Sequence, residues 1–342
     1  MPASKKTQEF VEKELPYKLL MYLYDDSRAP LKALGREFNI SYHTVSEVLK
    51  KLEEKYVLSY TLDLNEQALG FTEGRIIAIK FGNMPNVEAL KERFKKDIFV
   101  QCAYLGSGDF DLLLYVVGLT NKDFNFWQYK FRVDFSEYKP NLRFATITFY
   151  PIGAFPLRNE LIAESTILSD NEKKVLLLLN EDSRIKLSEL VKKSKLTQMR
   201  VIYIMKKLKE KGVIKRYTTL VQQPDKRLLA AYAISDTPGK WHKKLLLNFL
   251  EEITREDLHE ASNDYGLMCD TNGFCDGLYI CAFEDGEVAA KRGPEILRNL
   301  WKDEDARIEK VILTSLLTGK WPFHLEQYKQ QLKDVSEIKK EL

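Results

Sequence analysis

At 342 residues, 44% apolar, 30% charged and 11% aromatic, the chain is too long for one ordinary core and predicts two or more folded domains. No stretch approaches the roughly 18 consecutive apolar residues of a membrane span, and the polar start MPASKKTQEF lacks the pattern of a secretory leader, so a cytoplasmic protein is expected. The formal net charge is a near-neutral +3, and Cys102, Cys269, Cys275 and Cys281 include no CxxC pair; they read as buried apolar thiols, not a disulfide framework or a zinc site.

Residues 1–62 read as three helices and a wing. YKLLMYLYDD (17–26) has helical apolar spacing, a second helix begins near Leu31, and a third starts with Ser41 as its N-cap. YVLSYTLDL (56–64) exchanges the helical period for alternation and β-branched residues, which predicts a β-hairpin-like wing. Residues 63–160 follow as strand GRIIAIKFG, helix NVEALKERFKK, strands IFVQCAYLG and DFDLLLYVVG, helix FNFWQYKFRVDF and strand LRFATITFYPIG. This βαββαβ order predicts a ferredoxin-like domain with its helices on one sheet face.

Residues 161–222 return to the first pattern. EKKVLLLLNED (172–182) is a helix, a second begins near Leu187, a third starts with Thr197 as N-cap, and GVIKRYTTLV (212–221) is the second wing candidate. Residues 223–321 repeat the sheet pattern through LLAAYAIS, KKLLLNFLEEI, GLYICAFED, EILRNLWKDE and RIEKVILTSLLTG. A polar tail over 322–342 has helical spacing at Leu325, Tyr328, Leu332 and Val335.

The two halves are copies of one plan. Shifted by 156 residues, the stretch from Asp26 aligns without a gap on the stretch from Asp182. Asp26-Ser27-Arg28 repeats as Asp182-Ser183-Arg184, Leu31 and Leu34 as Leu187 and Leu190, Val45 as Val201 and Leu52 as Leu208. The expected architecture is therefore α+β: two winged helix-turn-helix domains alternating with two ferredoxin-like domains. A winged helix-turn-helix lays its third helix in the DNA major groove.

On these motifs the chain resembles the Lrp/AsnC transcription regulators, with two family units fused. ISYHTVSEVLKKLEEKYV is similar to the recognition helix, LDLNEQALG to the hinge, and YLGSGDFDLLLYV to the Gly-Asp loop of the ligand-binding sheet domain. NGFCDGLYICAF keeps Gly273 and Asp276 of that loop in the second half, whereas VQQPDKRLLA matches the hinge only loosely. The resemblance covers about Leu15 to Trp321 and implies double-stranded DNA as partner. It also implies pairing through the sheets, here open to one chain, and homodimers or higher assemblies. An amino-acid effector would sit near Gly106, Ser107, Gly108, Asp109 and Asp111, although a tight turn needs such residues anyway. Archaeal members open both repression and the recruitment of basal transcription factors.

Charge separates the two copies. Residues 168–220 hold 14 Lys/Arg against six Asp/Glu, a net +8, whereas residues 1–62 hold ten against nine, a net +1. A concentrated basic domain is the electrostatic footprint of nucleic-acid binding. At 100° per residue, Val201, Met205 and Leu208 point inward with Ile204 beside them. Met199, Tyr203 and Lys206 point outward, flanked by Arg200 and Lys207, with Gln198 in the first turn after Thr197. Gln pairs with adenine, Arg or Lys with guanine, and Met or Tyr meets a thymine methyl. Lys211, Lys215 and Arg216, at the wing, are expected on phosphates. In the first copy the matching set is Ser41, Tyr42, His43, Ser46 and Lys50, with Glu47 among them and no basic residue at Glu47 or Val48. Weaker DNA binding or a protein contact is expected there.

No cofactor, metal or catalytic constellation is expected: no phosphate-binding glycine loop, zinc spacing or nucleophile elbow occurs. Two other readings remain. Siroheme decarboxylases resemble tandem units of this family, and such chemistry would draw on His242, His259 and Arg255, since His43 and His324 are expected outside the sheets. The other is a ligand sensor whose winged domains bind only proteins.

Overall fold

The structure, a computed structural model, describes residues 15–55, 57–72, 74–152, 156–221, 228–235, 265–283, 307–319 and 324–325, with 11 and 294 as single positions. In chain order the helices used below are α1 (Leu15–Asp25), α2 (Leu31–Glu37), α3 (Tyr42–Lys55), α4 (Val87–Lys96), α5 (Asn121–Asp134), α6 (Asp170–Glu181), α7 (Leu187–Ser194) and α8 (Gln198–Glu210). The strands are β1 (Val57–Leu64), β2 (Arg75–Lys80), β3 (Val100–Gly108), β4 (Leu112–Val116), β5 (Asn141–Ile152), β6 (Ile214–Val221), β7 (Leu228–Ser235), β8 (Tyr265–Gly273), β9 (Gly277–Phe283), β10 (Arg307–Thr318) and β11 (His324–Leu325). The chain folds as two compact units, the first made of residues 1–69 and 162–224, the second of residues 70–161 and 225–342.

The first unit contains both three-helix copies, and the expected hairpin wings are not what joins them. β1 pairs antiparallel with β6, placing Tyr60 opposite Thr219, Thr61 opposite Thr218 and Leu62 opposite Tyr217. Neither YVLSYTLDL nor GVIKRYTTLV has a Gly, Asn or Asp pair in its middle, so neither can turn back tightly on itself. Each runs straight and takes its hydrogen bonds from the other copy. The exchange extends to the helices, because α1 packs on β6 and α6 packs on β1. Thr61 is fully buried and donates to the Asn180 carbonyl at 2.7 Å, closing one of these contacts.

The repeated Asp-Ser-Arg triplets sit where the copies meet. Ser27 Oγ and Ser183 Oγ, both buried, lie 2.5 Å apart. Ser27 N donates to the Tyr217 carbonyl and Ser183 N to the Tyr60 carbonyl, a reciprocal pair. Asp26 Oδ1 accepts from Arg28 N at 3.0 Å and Asp182 Oδ1 from Arg184 N at 2.8 Å, so each aspartate turns its own chain and aims the arginine. Arg28 then donates to the carbonyls of Ser183 (2.6 Å) and Ile185 (3.1 Å), while Arg184 lies 5.0 Å from the Tyr60 ring centroid.

In the second unit each half has the expected ferredoxin-like strand order: β5-β2-β4-β3, then β10-β7-β9-β8. β5 pairs with β8 and β3 with β10, so eight antiparallel strands close into a ring with no free edge between the halves. The sheet pairing that the resemblance implies is met inside one chain. α4 and α5 cover the first sheet over a core that includes Ile77, Ile79, Phe94, Leu114, Trp127 and Phe131. With helices on one face and sheet on the other, β4 is buried throughout, which is why its sequence is a continuous apolar run.

Three expectations need correction. β8 is a full strand that no predicted element covered. His324 lies in β11, paired to β8, and not outside the sheets. The expected C-terminal helix over 322–342 meets β11 at His324–Leu325 and otherwise falls outside the described residues, as do His242, Arg255, His259 and the helices KKLLLNFLEEI and, apart from position 294 before it, EILRNLWKDE.

Arg28→Ala removes two charge-assisted bonds across the joint, and a loss of about 2 kcal/mol is expected. Chemical denaturation of the full chain checks it, and an unchanged midpoint would show that the triplets do not hold the copies together.

Candidate nucleic-acid interface

α8 is built to show one face. Thr197 Oγ1 accepts from Arg200 N at 3.3 Å and starts the helix, as its hydroxyl predicts. Val201, Ile204 and Leu208 are fully buried against α6 and α7, and Met205 is half-buried at their margin. The opposite face carries Gln198, Arg200 and Lys206, all exposed, together with Met199 (77% exposed), Tyr203 (54%) and Ile202 (42%). Ile202 was missed by the helical reading; its signal is an apolar residue adjoining the Met199–Tyr203 stripe. Three large apolar side chains side by side in water form the kind of patch that folded proteins keep for a partner. The Arg200 guanidinium lies 5.4 Å from the Tyr203 ring centroid, which steadies a flexible side chain along the exposed face. Lys206 reaches Glu210 at 3.6 Å, but both are well exposed and such a pair is weak.

Not every cation of this copy is available. Lys207 Nζ meets the buried Glu172 Oε1 at 2.7 Å, tying α8 to α6. Burial opposes charge on Glu172, but bonds from Lys207 and Ser169 outweigh it and hold the carboxyl at about 2, against an ordinary 4.5. Arg216 Nε binds Asp63 at 2.8 Å and its guanidinium lies 4.0 Å from the Tyr24 ring centroid, so it faces the interior of the unit. Lys215 lies 4.0 Å from Glu66. Internal acids thus withdraw Lys207 from the flank of the expected base-facing set and Arg216 from the expected phosphate set, while Lys211 and Lys215 remain exposed.

The first copy presents a different face on the same frame. Ser41 Oγ accepts from Thr44 N at 3.1 Å to start α3. Tyr42 is 45% exposed and its ring meets His43 edge-on at 5.8 Å. His43, Glu47 and Lys50 are exposed and Ser46 is half-buried. Lys50 pairs loosely with Glu54 at 3.9 Å.

The residues expected to hold an effector are engaged in closing the sheet. Gly108 stands opposite Val311 with φ +140°, and a Cβ there would come within 2.6 Å of the Lys310 carbonyl. Asp109 Oδ2 accepts from Lys310 N at 2.7 Å, and Gly106 and Ser107 pair with Leu313 and Ile312. Asp111 accepts from Lys80 Nζ (2.7 Å) and Phe81 N (2.8 Å). In the second half Gly273 stands opposite Ala145 in the same way, with φ +154°. Two residues before Ala145 and Val311 are Arg143 and Glu309, which form an ion pair with a hydrogen bond of 2.8 Å between Nη1 and Oε1, with the rings of Phe110 and Phe274 flanking the guanidinium. In a dimer of identical chains these positions would carry the same residue; the fusion allows opposite charges. Cys102, Cys269 and Cys275 are buried, and burial pushes the Cys102 and Cys275 thiols up to about 12.

A family model described as winged helix-turn-helix DNA-binding matches residues 168–215, the segment from the start of α6 to β6. An uncharacterized HTH-type transcriptional regulator of Pyrococcus abyssi is 29% identical over 113 residues, covering 33% of this chain and 76% of that protein. The HTH-type transcriptional regulator FL11 of the same organism is 25% identical over 113 residues, covering 33% and 74%. Among solved structures, the siroheme decarboxylase NirDL superposes with a TM-score of 0.58 at 13% identity, over 95% of this chain and 100% of that one. That likeness is one of fold. The second copy is a winged helix-turn-helix DNA-binding domain, and the chain is similar in sequence to archaeal HTH-type transcriptional regulators, the class that its motifs resemble.

Because the folded pKa of Glu172 is depressed, its contribution is present above about 4.5 and is lost as pH falls toward about 2. Glu172→Gln is expected to unfold more easily by about 1–3 kcal/mol at pH 7, with the gap to the parent closing below about pH 4.5. Urea titrations at several pH values test it; a pH-independent gap would contradict the assignment.

Proposed function

We propose that this chain is a DNA-binding transcription regulator of the cytoplasm whose second winged domain is the principal reader of double-stranded DNA. α8 is the recognition helix. Gln198, Arg200, Tyr203 and Lys206 face base edges, Met199 meets thymine methyls, and Lys211 lies against phosphate. The observation that supports this most is the outer face of α8: a band of exposed apolar and basic side chains on the third helix of a winged domain, over a fully buried inner face. The sheet unit serves to pair the halves.

The likeness to a siroheme decarboxylase at 13% identity shows a shared scaffold and carries no activity with it. The regulator reading draws on the sequence relatives and on the α8 surface together.

Duplex binding is expected to weaken steeply with salt, since cations that meet phosphates release counterions. Arg200→Ala with Lys206→Ala should abolish the preference for target over random duplex. Lys211→Ala should weaken both alike and reduce the salt slope by about one. Fluorescence anisotropy titrations at several salt concentrations measure all three; a double variant that keeps its preference would remove α8 from the reading role.

A further inference from the structure

The two copies agree where they hold each other and differ where they face outward. Along the 156-residue offset, the Asp-Ser-Arg triplets at the joint are identical and the two serines meet each other. Each serine N–H donates to the strand of the other copy, while the two arginines take different partners there. The outer faces of α3 and α8 are not. Tyr42 stands where α8 has Gln198, His43 where it has Met199, Thr44 for Arg200, Ser46 for Ile202 and Glu47 for Tyr203. The helix ends are kept, Lys50, Lys51, Glu54 and Lys55 recurring as Lys206, Lys207, Glu210 and Lys211, so the divergence lies in the first two turns. Both helices also begin alike, on a hydroxyl accepting from the backbone three residues later.

We propose that one chain reads a composite, non-palindromic DNA site. One half-site contains a cytosine recognised by Glu47 on α3, and a dissimilar half-site is recognised by Gln198, Arg200 and Tyr203 on α8. This rests on the DNA-reading proposal above and adds the form of the target. The gapless 156-residue offset and the matching helix starts make α3 and α8 equivalents, so the position of Glu47 is that of Tyr203, in the second turn of a recognition helix, where base edges are met. A carboxylate is an acceptor only. It is repelled by phosphate and by the acceptors N7 and O6 of guanine, and it is satisfied by the amino group of cytosine. Along the exposed face the order is Tyr42 and His43, then Glu47, then Lys50, which places the acid between the helix start and the cation that can take a phosphate. The near-neutral charge of the first copy fits a half-site that adds specificity more than affinity. Because one chain supplies two unlike helices, the half-sites acquire a fixed order as well as a fixed spacing, whereas a symmetric dimer fixes spacing alone.

Selection of bound duplexes from a randomised pool by the full-length chain, followed by sequencing, tests this. Two dissimilar half-motifs at fixed spacing and order are expected. Glu47→Ala, a change at an exposed position, should keep the parent's circular dichroism and lose on the order of tenfold of its cytosine preference at one position of one half, leaving the other half intact. Arg200→Ala should do the reverse. A palindromic motif, or a motif that Glu47→Ala leaves unaltered, would overturn the composite site and hand α3 to a protein partner. A pool with no enriched sequence would instead overturn the DNA-reading proposal itself.

Discussion

The antiparallel pairing of β1 with β6 is the constraint on which the DNA-binding unit depends. Each copy ends its three helices in one straight strand, and a lone strand leaves a row of unpaired backbone groups. Joining strands that lie more than 150 residues apart in sequence satisfies both at once. The same step buries α1 against β6 and α6 against β1, so neither copy completes its core without the other. The identical triplets then fit a simple logic: at an approximate two-fold axis a serine meets its own equivalent and an arginine crosses to the opposite copy.

Charge has to be placed as well as counted. The second copy carries a surplus of eight cations, but some serve the fold. Lys207 holds α8 to α6 through Glu172, and Arg216 is enclosed by Asp63, Asp25 and Tyr24. What is left on α8 is a mixed face in which Arg200 and Lys206 stand among Met199, Ile202 and Tyr203. That mixture suits base edges and thymine methyls better than a uniform basic patch would, since phosphate contacts give affinity and groove contacts give discrimination.

Much of the first-order plan was legible in the residues. α8 could be drawn from its period and its N-cap, because Val201, Ile204 and Leu208 obey a local rule. In the first half the βαββαβ order was legible for the same reason. The wings were misread because the partner of each strand is distant, and alternation in YVLSYTLDL says that a strand forms without saying with what. β8 escaped because YGLMCDTNG mixes apolar, polar and glycine residues, its place being set by β5 and β9 on either side. The Gly-Asp loops show the limit most plainly. Gly108 and Gly273 were read as turn or effector residues, and they are also the points where a backbone from the opposite half passes too close for any side chain.

The same principle therefore governs both units: repeats that would pair between two chains pair within one, and the fusion is free to let its copies diverge. Arg143 and Glu309 show divergence used for cohesion, as opposite charges at equivalent positions. The most direct test of this intrachain pairing uses the closest contact at the joint, the 2.5 Å separation of Ser27 Oγ and Ser183 Oγ. In a Ser27→Cys, Ser183→Cys variant, oxidation should form a disulfide within one chain, seen as a faster band on a non-reducing gel. The oxidised protein should bind DNA as well as the reduced one. Disulfides that form only between chains, or a crosslinked chain that no longer binds, would contradict the account.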